Sequence, residues 1–371
     1  MQGVNDGQSA YAASGVDYDQ LDAAKRAAVA VARATSGLAA ARGAAIDDAS
    51  RGESALVLRI GDATLSYVVE GLGTKSLIAV AYEAATGRGR YRDIAYDTVA
   101  AIVNDLVCVG ALPVVVNAYF ATGDAAWYGA GERLRQLVDG WGAACRDAGA
   151  VWGGGESPSL PGLVAPEGLE LAGSAIGVVP PGRAPILGRE LAAGDEIVLV
   201  ASSGLHANGA SLARALADRL PDGYLTKLPS GRDFGDALLD ASLLYAGLVQ
   251  RLLEEDAPVT YLSHVTGHGL RKLMRAEQEL GYVIEALPPV PEVLAFMVDR
   301  LGLDAREAYG TFNMGAGMAV YVRPGAGERV VAAARRCGLE ALVAGRVEPG
   351  PRRVVLGPLD VVYRADELSL R

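Results

Sequence analysis

Cysteine is scarce in this chain of 371 residues, and the spacing of the three cysteines excludes two kinds of site. Cys108, Cys145 and Cys337 lie far apart and form no Cys-x-x-Cys pair. Disulfide frameworks and structural zinc sites both need paired or closely spaced cysteines. We therefore expect neither of them, and a reducing, cytoplasmic location.

Long apolar segments are also lacking. The longest stretch without a charge, residues 106–123, approaches the length of a membrane span, but it contains Gly110, Pro113 and Asn117. We interpret this stretch as a helix end, a turn and a buried strand. The first residues have neither a basic nor an apolar region, so we expect no signal peptide and no membrane partner.

Positive charge is in short supply, and lysine especially so. The chain has four lysines and thirty arginines, and its net charge is −10. Because the negative charge is spread along the chain, nucleic acid is not expected as a partner. A phosphate ligand would need local backbone amides, a few cations or a metal ion.

Apolar residues and glycine are plentiful, at 51% hydrophobic residues and 47 glycines. This length predicts two domains, and the proline- and glycine-rich stretch that begins near residue 180 divides them into 1–182 and 183–371. Strand-like and helix-like segments alternate, which predicts an α/β fold with α+β layers.

The apolar spacing predicts individual elements. We expect a helix over 17–34, a loop over 36–53, and a hairpin of strands 55–60 and 63–69. Further expected helices are 93–111, 129–148, 236–254, 267–279 and 326–338. Further expected strands are 114–119, 151–152, 169–179, 195–201, 259–264, 281–286, 314–322 and 341–347.

A glycine segment follows the second hairpin strand: Glu70, Gly71, Leu72, Gly73, Thr74 and Lys75. Glycines leave backbone N–H groups open to a phosphate, and a terminal lysine supplies a cation. The spacing is not that of a Walker A loop. The alternative is a glycine turn that ends a strand and carries an exposed lysine.

The helix over 93–111 carries Asp97, Asn104 and Asp105 within an apolar context. Residues seven and eight positions apart lie on nearly the same helix face. Two carboxylates and an amide there are suitable ligands for Mg²⁺. The alternative is a solvated polar stripe.

Two further groups are candidates. Gly153, Gly154 and Gly155 precede Glu156, whose carboxylate is suited to a metal or a ribose; the alternative is a flexible turn. The three histidines, His206, His264 and His268, all lie in glycine-rich turns. Histidine can act as an acid or base near neutral pH, or it can brace the turn.

Eight segments in order resemble phosphoribosylformylglycinamidine cyclo-ligase, also called AIR synthetase, and the resemblance runs from about residue 11 to residue 347. The family patterns are GVDxD, DGVGTK, VNDL with a following GA, YxATG, GGET, SGxHSNG, HLTGG and MYxTFNCGxGM. In this chain they correspond to 15–19, 70–75, 103–106 with 110–111, 119–123, 154–157, 203–209, 264–267 and 309–315.

This resemblance implies a PurM-like two-domain fold whose N-terminal mixed sheet pairs across a homodimer, with ATP bound near the dimer interface. It implies that ATP phosphorylates an amide oxygen of formylglycinamidine ribonucleotide, a phosphoribosyl substrate, before ring closure. The expected cofactors are ATP and Mg²⁺. The candidate residues are, for catalysis, Lys75, Asp97, His206 and His264; for the nucleotide, Glu70, Gly71, Gly73, Thr74, Lys75, Asn104, Gly154, Gly155 and Glu156; and for the metal, Glu70, Asp97 and Asp105.

The chain departs from the family pattern at three places. Glu70 replaces an aspartate, residues 239–242 read Leu-Asp-Ala-Ser instead of LAPT, and His268 replaces a glycine. Two alternatives therefore stay open. One is a divergent relative that activates another amide or carbonyl with ATP, and the other is a non-catalytic dimer that binds a nucleotide.

Overall fold

The structure is a computed structural model that describes residues 18–368. The N-terminal arm and residues 15–17 of the GVDxD-like motif lie outside the described residues. Two mixed β-sheets organise the described chain. Strands from residue 44 to residue 178 form the first sheet, and strands from residue 196 to residue 364 form the second.

The first sheet consists of β1 (Ala44–Asp47), β2 (Leu56–Ile60), β3 (Ala63–Gly71), β4 (Leu112–Thr122), β5 (Val151–Glu156) and β6 (Leu169–Val178). Their order in the sheet is β1-β2-β3-β6-β4-β5. Only β4 and β5 run parallel among these neighbours. The accompanying helices are α1 (Tyr18–Ala34), α2 (Lys75–Thr86), α3 (Tyr91–Val107), α4 (Ala126–Gly129) and α5 (Arg133–Asp147).

The second sheet consists of β7 (Glu196–Ala201), β8 (Val259–His264), β9 (Leu280–Ile284), β10 (Ala316–Val322), β11 (Ala341–Pro349), β12 (Arg353–Leu356) and β13 (Val361–Arg364). Their order is β13-β12-β9-β11-β7-β10-β8, and only β12 and β9 are parallel neighbours. The helices of this half are α6 (Ala210–Ala217), α7 (Phe234–Leu238), α8 (Ala246–Glu254), α9 (Glu292–Leu301), α10 (Ala305–Thr311) and α11 (Gly327–Arg336).

Helix α3 lies close against the first sheet because two glycines of β6 leave room for it. A Cβ atom on Gly173 would lie 2.8 Å from Ile102, and one on Gly177 would lie 2.7 Å from Leu106. Both distances are too short for real contacts, so neither position tolerates a side chain without movement. This close packing fixes the helix on which the polar residues 97, 104 and 105 stand.

Several predicted elements are confirmed, and the α/β layering is among them. The hairpin of β2 and β3 is present, as are α3, α11 and strands β4 and β6 to β11, with shifted ends. The three cysteines form no disulfide. No helix within residues 18–368 has the length and hydropathy needed to cross a bilayer.

The prediction of a loop over 36–53 is wrong. A 3₁₀ helix (Ser36–Arg42), strand β1 and a second 3₁₀ helix (Asp48–Ser50) occupy this stretch. Strand β1 forms because it pairs with the edge of β2, from Ala44 opposite Ile60 to Asp47 opposite Val57. Such pairing depends on a tertiary neighbour, so a short alanine-rich stretch does not reveal it.

The predicted helices at 236–254 and 267–279 are also wrong as continuous elements. The first is split into α7 and α8 by a non-helical segment, 239–245, in which the backbone N–H groups of Ser242 and Tyr245 donate to side chains of α3 instead. The second is only a 3₁₀ helix (Gly269–Met274) that follows His268 in the left-handed conformation, φ 72°. The predicted helix 129–148 is present as α5, which begins four residues later, whereas α2, α9 and α10 were not predicted.

Candidate functional site

The predicted glycine segment forms the connection between β3 and α2. Gly73 has a φ of +68°, a conformation that glycine adopts without strain. The Leu72 amide donates to the Leu171 carbonyl at 2.8 Å, which fixes the end of the strand. Thr74 Oγ1 lies 3.0 Å from Ser211 Oγ, so the loop also contacts the C-terminal half of the chain.

A cavity of about 570 Å³ lies between this loop and the C-terminal half. Glu70, Gly71, Gly73 and Thr74 line it together with Asp105 of α3. The opposite side belongs to the second half of the chain and comprises 207–211, His264, Thr266, Gly267, His268, Lys272 and Arg275; the remaining lining is Val29, 52–54, Leu72 and Ala101. The cavity therefore combines residues from several segments that are distant in sequence.

A second cavity, of about 470 Å³, shares Gly73 and Thr74 with the first. Its lining is mainly apolar and includes Leu77, Leu160 and Leu163. It also includes Glu170, where burial raises the pKa of the carboxyl. The glycine loop is therefore open to a ligand from two sides.

Asp105 and His264 form a close pair on the lining of the larger cavity. His264 Nδ1 lies 2.7 Å from Asp105 Oδ1. Burial opposes ionisation of Asp105, but the His264 bond and the charges of His264, Arg275 and Lys272 outweigh it and lower the pKa of this carboxyl. Asp105 is thus held as a carboxylate that faces a polar cavity.

Lys75 and Asp97 lie outside this cavity and form a fully buried ion pair. Lys75 Nζ is 2.5 Å from Asp97 Oδ2, and both side chains are fully buried. The other carboxylate oxygen, Asp97 Oδ1, accepts the backbone N–H of Ser242 at 2.6 Å. The predicted phosphate cation and one predicted metal ligand therefore bind each other and the non-helical segment 239–245.

Asn104 joins the same segment to α3. Its Nδ2 donates to the Leu243 carbonyl at 2.8 Å, and its Oδ1 accepts the Tyr245 N–H at 2.9 Å. The predicted polar face of the helix thus divides between two functions. Residues 97 and 104 hold the C-terminal half in place, and Asp105 alone faces the cavity.

The predicted metal set is therefore not assembled as a triad. Glu70 and Asp105 line one cavity, whereas Asp97 is paired with Lys75. Among residues 18–368, no three His, Cys, Asp or Glu side chains form a group that could hold a metal ion on its own. Sequence spacing placed these residues on one helix but could not show what each of them faces.

His206 has a buried side chain that accepts backbone hydrogen bonds. Its Nε2 accepts the Ser203 N–H at 3.2 Å and lies 3.5 Å from the Leu243 N. Burial, together with the charges of His264 and Lys75, lowers the pKa of His206 to about 3. A neutral imidazole that holds a turn is the alternative role that the sequence left open, and the geometry favours that role.

The predicted Gly-Gly-Glu turn belongs to β5, at one edge of the first sheet. A Cβ atom on Gly155 would lie 1.9 Å from the Ala118 carbonyl, so strand packing requires this glycine. Glu156 is exposed, and its carboxylate accepts the Ser157 N–H at 3.2 Å. Within one chain, Gly154, Gly155 and Glu156 do not line the cavity.

Sequence reasoning missed Glu53, Lys272 and Arg275, which all line the cavity. Glu53 and Arg275 belong to no recognisable sequence motif, because their hydrogen-bond partners are 208 or more residues away in sequence. Lys272 could have been noticed in the sequence, because it is one of only four lysines and lies eight residues after His264.

Comparisons with known proteins agree with this architecture. The family model "AIR synthase related protein, N-terminal domain" matches residues 52–179, and the model "AIR synthase related protein, C-terminal domain" matches residues 192–357. The two matches together cover most of the chain and every strand of the two sheets except β1 and β13.

Several curated relatives are named phosphoribosylformylglycinamidine cyclo-ligase. The protein of Anaeromyxobacter sp. (strain Fw109-5) is 38% identical over 294 residues, which span 76% of this chain and 79% of the relative. The protein of Thermococcus kodakarensis is 33% identical over 346 residues, which span 92% of this chain and 97% of the relative.

Solved structures share the fold at lower identity. The hydrogenase maturation protein HypE in complex with ATP has a TM-score of 0.58 and 20% identity, and the match covers 81% of this chain and 83% of that one. AaThiL complexed with AMPPCP and TMP has a TM-score of 0.55 and 15% identity, and the match covers 84% and 90%. The predicted family is confirmed: this chain belongs to the AIR synthase related family, together with relatives named phosphoribosylformylglycinamidine cyclo-ligase.

Proposed function

We propose that this protein is an ATP-dependent cyclo-ligase that converts formylglycinamidine ribonucleotide into aminoimidazole ribonucleotide in purine biosynthesis. The observation that carries the proposal is the polar cavity in which the loop 70–74 and the Asp105–His264 pair meet. The names of the relatives agree with this activity. The two alternatives that the sequence left open gain no support from the fold, the cavity or the relatives.

This chemistry suits a site that has few of the side chains that usually act as nucleophiles. An amide oxygen is a poor leaving group, and transfer of the γ-phosphoryl group of ATP to that oxygen makes it a good one. The amine of the substrate can then attack the activated carbon, close the ring and release phosphate, and ADP is the other product. The protein must chiefly position the two reactants and balance phosphate charge.

Glu70 and Asp105 are the residues that we propose to hold Mg²⁺. Both carboxylates line the cavity, and Asp105 is held in its ionised form. Mg²⁺ is commonly bound by one or two protein carboxylates, with phosphate oxygens and water completing its shell. When bound, the ion would neutralise phosphate charge, and two carboxylate ligands are sufficient for that arrangement.

The loop 71–74 is the proposed phosphate-binding backbone. Gly71 and Gly73 line the cavity without side chains, and the Thr74 hydroxyl stands at its border with the C-terminal half. Lys75, Asp97 and Asn104 contribute indirectly, because they hold the second half of the chain against α3. We propose His264 as the histidine that faces the substrate, oriented by Asp105.

We also propose a cytoplasmic homodimer. The first sheet has an apolar outer face on which Tyr67, Val69 and Ile176 are 41%, 59% and 38% exposed. Tyr67 and Ile176 are direct partners in neighbouring strands, so the patch is continuous. Exposed apolar patches of this kind mark protein interfaces. A second copy on this face could also bring the edge residues Gly154, Gly155 and Glu156 towards a nucleotide site.

The test is turnover by the purified full-length protein. With Mg²⁺, ATP and formylglycinamidine ribonucleotide, we expect release of ADP that depends on the ribonucleotide. Asp105→Asn should lower the rate or the affinity for Mg-ATP by about 10–100-fold, because the carboxylate that both holds the metal and orients His264 is lost. The matched control is Asp299→Asn, whose side chain is 78% exposed on α9.

The possible results separate the alternatives. Binding of ATP without turnover of this ribonucleotide would point to a different substrate, and no binding of ATP would rule out the enzyme. Kinetics of Asp105→Asn equal to those of Asp299→Asn would remove Asp105 from the metal site.

A further inference from the structure

A short segment without regular secondary structure forms one wall of the polar cavity. Gly52, Glu53 and Ser54 all line the cavity, and this wall segment connects the 3₁₀ helix Asp48–Ser50 to β2. Gly52 has a φ of 88°, in the left-handed region that favours glycine. The Glu53 N–H donates to the Ser50 carbonyl at 3.0 Å. This local bond defines a turn, but it does not attach the turn to the opposite side of the cavity.

Arg275, in the C-terminal half, contacts all three residues of the wall segment. Its Nε and Nη2 donate to the Gly52 carbonyl at 3.1 and 3.0 Å, and its Nη1 donates to Ser54 Oγ at 2.7 Å. Its Nε also lies 3.7 Å from Glu53 Oε2, and the two side chains are 9% and 4% exposed. The Tyr261 hydroxyl on β8 donates to the same Glu53 oxygen at 2.7 Å. These contacts need several donors in one plane, which a guanidinium has and an ammonium lacks.

Arg275 also belongs to the part of the chain that carries His264. It directly follows the 3₁₀ helix Gly269–Met274, and its N–H donates to the Lys272 carbonyl at 3.1 Å. That carbonyl also accepts Ser263 Oγ at 2.8 Å, at the end of β8. The turn after β8 lines the same cavity as the wall segment. Arg275 therefore joins two parts of the cavity lining that are distant in sequence.

We propose that Arg275 is a positioning residue for the reaction: it fixes the wall segment so that the reactants are held against the loop 70–74 and the Asp105–His264 pair. The inference rests on the function proposed above. Arg275 lines the cavity, but its guanidinium donates to the wall segment and acts through it. A misplacement of about 1 Å can lower a rate about a hundredfold, so a small shift of the wall is sufficient.

Steady-state kinetics of the full-length protein is the first measurement. Arg275→Ala should lower kcat/KM about a hundredfold, because the wall segment loses its contacts with the C-terminal half. Arg275→Lys keeps the charge but not the planar set of donors, so its kcat/KM should stay about tenfold or more below the wild type. The matched control is Arg135→Ala on α5, because Arg135 is 74% exposed and does not line the cavity.

Guanidinium ions separate positioning from a general loss of stability. Because Arg275 lines the cavity, its removal leaves a space that opens into the cavity. Millimolar guanidinium chloride should raise the activity of Arg275→Ala about tenfold, with saturation, at an unchanged folded fraction measured by circular dichroism. Methylammonium chloride should have no such effect, and neither salt should raise the activity of Arg135→Ala.

Amide hydrogen exchange measures the wall segment itself and needs no turnover. In Arg275→Ala, exchange of the Glu53 amide and its neighbours should become faster than in the wild type, because local opening there has fewer contacts to break. Exchange in α11, which is remote from the cavity lining, should not change.

The possible results decide the proposal. Full activity of Arg275→Lys, activity of Arg275→Ala equal to that of Arg135→Ala, or a loss that follows the folded fraction and does not respond to guanidinium would overturn it. If the wild type does not turn over the ribonucleotide, the proposed function fails. Hydrogen exchange would then still decide whether Arg275 holds the wall segment, and unchanged exchange would overturn that role. If Arg275→Ala does not fold, the kinetics and hydrogen exchange of Arg275→Lys provide the test.

Discussion

The protonation state of His206 is set by what surrounds its ring. The imidazole is buried, and the charges of His264 and Lys75 both oppose a further positive charge. Because Nε2 accepts a backbone N–H, the neutral ring carries its proton on Nδ1. His206 also adopts a positive φ of 58°, so this residue contributes both a side-chain acceptor and an uncommon backbone conformation to the turn.

This environment predicts a pH dependence of stability. The pKa of His206 is about 3 in the folded protein and about 6.5 in an unfolded chain. Below pH 6.5 the unfolded state therefore binds a proton that the folded state does not, and the free energy of unfolding falls as the pH drops towards 3. Between pH 7 and pH 5 the contribution of this residue should fall by about 2 kcal/mol.

The measurement is denaturant unfolding of the wild type and of His206→Gln at both pH values. The variant has no titrating ring, so the wild type should lose more stability than the variant between pH 7 and pH 5. Parallel pH profiles for the two proteins would contradict the assigned protonation state.

At the scale of single residues, the sequence identified the important polar residues more accurately than it identified their roles. Helical spacing correctly placed Asp97, Asn104 and Asp105 on related faces of α3. Whether such a face meets a cavity or another part of the chain depends on residues 139 to 159 positions away, such as Leu243 and His264. No local pattern encodes those partners. The sequence alone therefore could not separate the proposed metal ligands, Glu70 and Asp105, from the buried Lys75–Asp97 ion pair.

Helices α2 and α3 connect the two halves of the molecule through their polar side chains. Lys75 begins α2, and Asp97 and Asn104 belong to α3. Lys75 and Asp97 pair with each other, and the remaining partners of the three residues lie in the C-terminal half, at the His206 turn and in the segment 239–245. The segment 239–245 is not helical because side chains of α3 accept backbone N–H groups that a helix would otherwise satisfy. The continuous helix predicted over 236–254 is wrong for that reason.

The buried ion pair makes a quantitative prediction for these elements. Lys75→Met leaves the Asp97 carboxylate buried without its cation, so we expect the free energy of unfolding to fall by about 3–5 kcal/mol. Lys75→Met combined with Asp97→Leu removes both charges and should recover a large part of that loss. Both are measured by denaturant unfolding.

Lys227→Met is the control for the lysine change, because the Lys227–Asp233 pair is largely exposed on the lysine side and should contribute little. A Lys75→Met protein as stable as Lys227→Met would contradict the assignment of Lys75 to a buried structural pair. No recovery in the double variant would show instead that the carbonyls of His206 and Asp240 are the important partners of Lys75.

At the scale of the whole molecule, ordered motifs were more informative than any single one. Eight short patterns in sequence order predicted the family, and the family matches confirm it. The arrangement that brings Lys272 and Arg275 to the glycine loop was not predictable in this way. It depends on how the second sheet docks on α3, and the residues responsible carry no shared pattern.

The apolar outer face of the first sheet predicts how two copies of the protein associate. Tyr67, Val69 and Ile176 lie on one face of β3 and β6, opposite the face that packs on α3. If a second copy covers this face, Val69→Asp places a carboxylate in an apolar interface without a partner, and burial of that charge is unfavourable. We expect the dimer dissociation constant to rise about a hundredfold or more, which corresponds to about 2.7 kcal/mol.

Sedimentation equilibrium of the wild type, Val69→Asp and a control variant measures this shift. The control is Val362→Asp, because Val362 is 39% exposed on β13, at the edge of the second sheet. We expect the wild type and Val362→Asp to be dimers at micromolar concentration and Val69→Asp to be a folded monomer. A monomeric wild type would overturn the proposed dimer, and a Val69→Asp dimer as tight as the control would place its interface elsewhere. In either case a second copy on this face would no longer explain how Gly154, Gly155 and Glu156 reach the nucleotide.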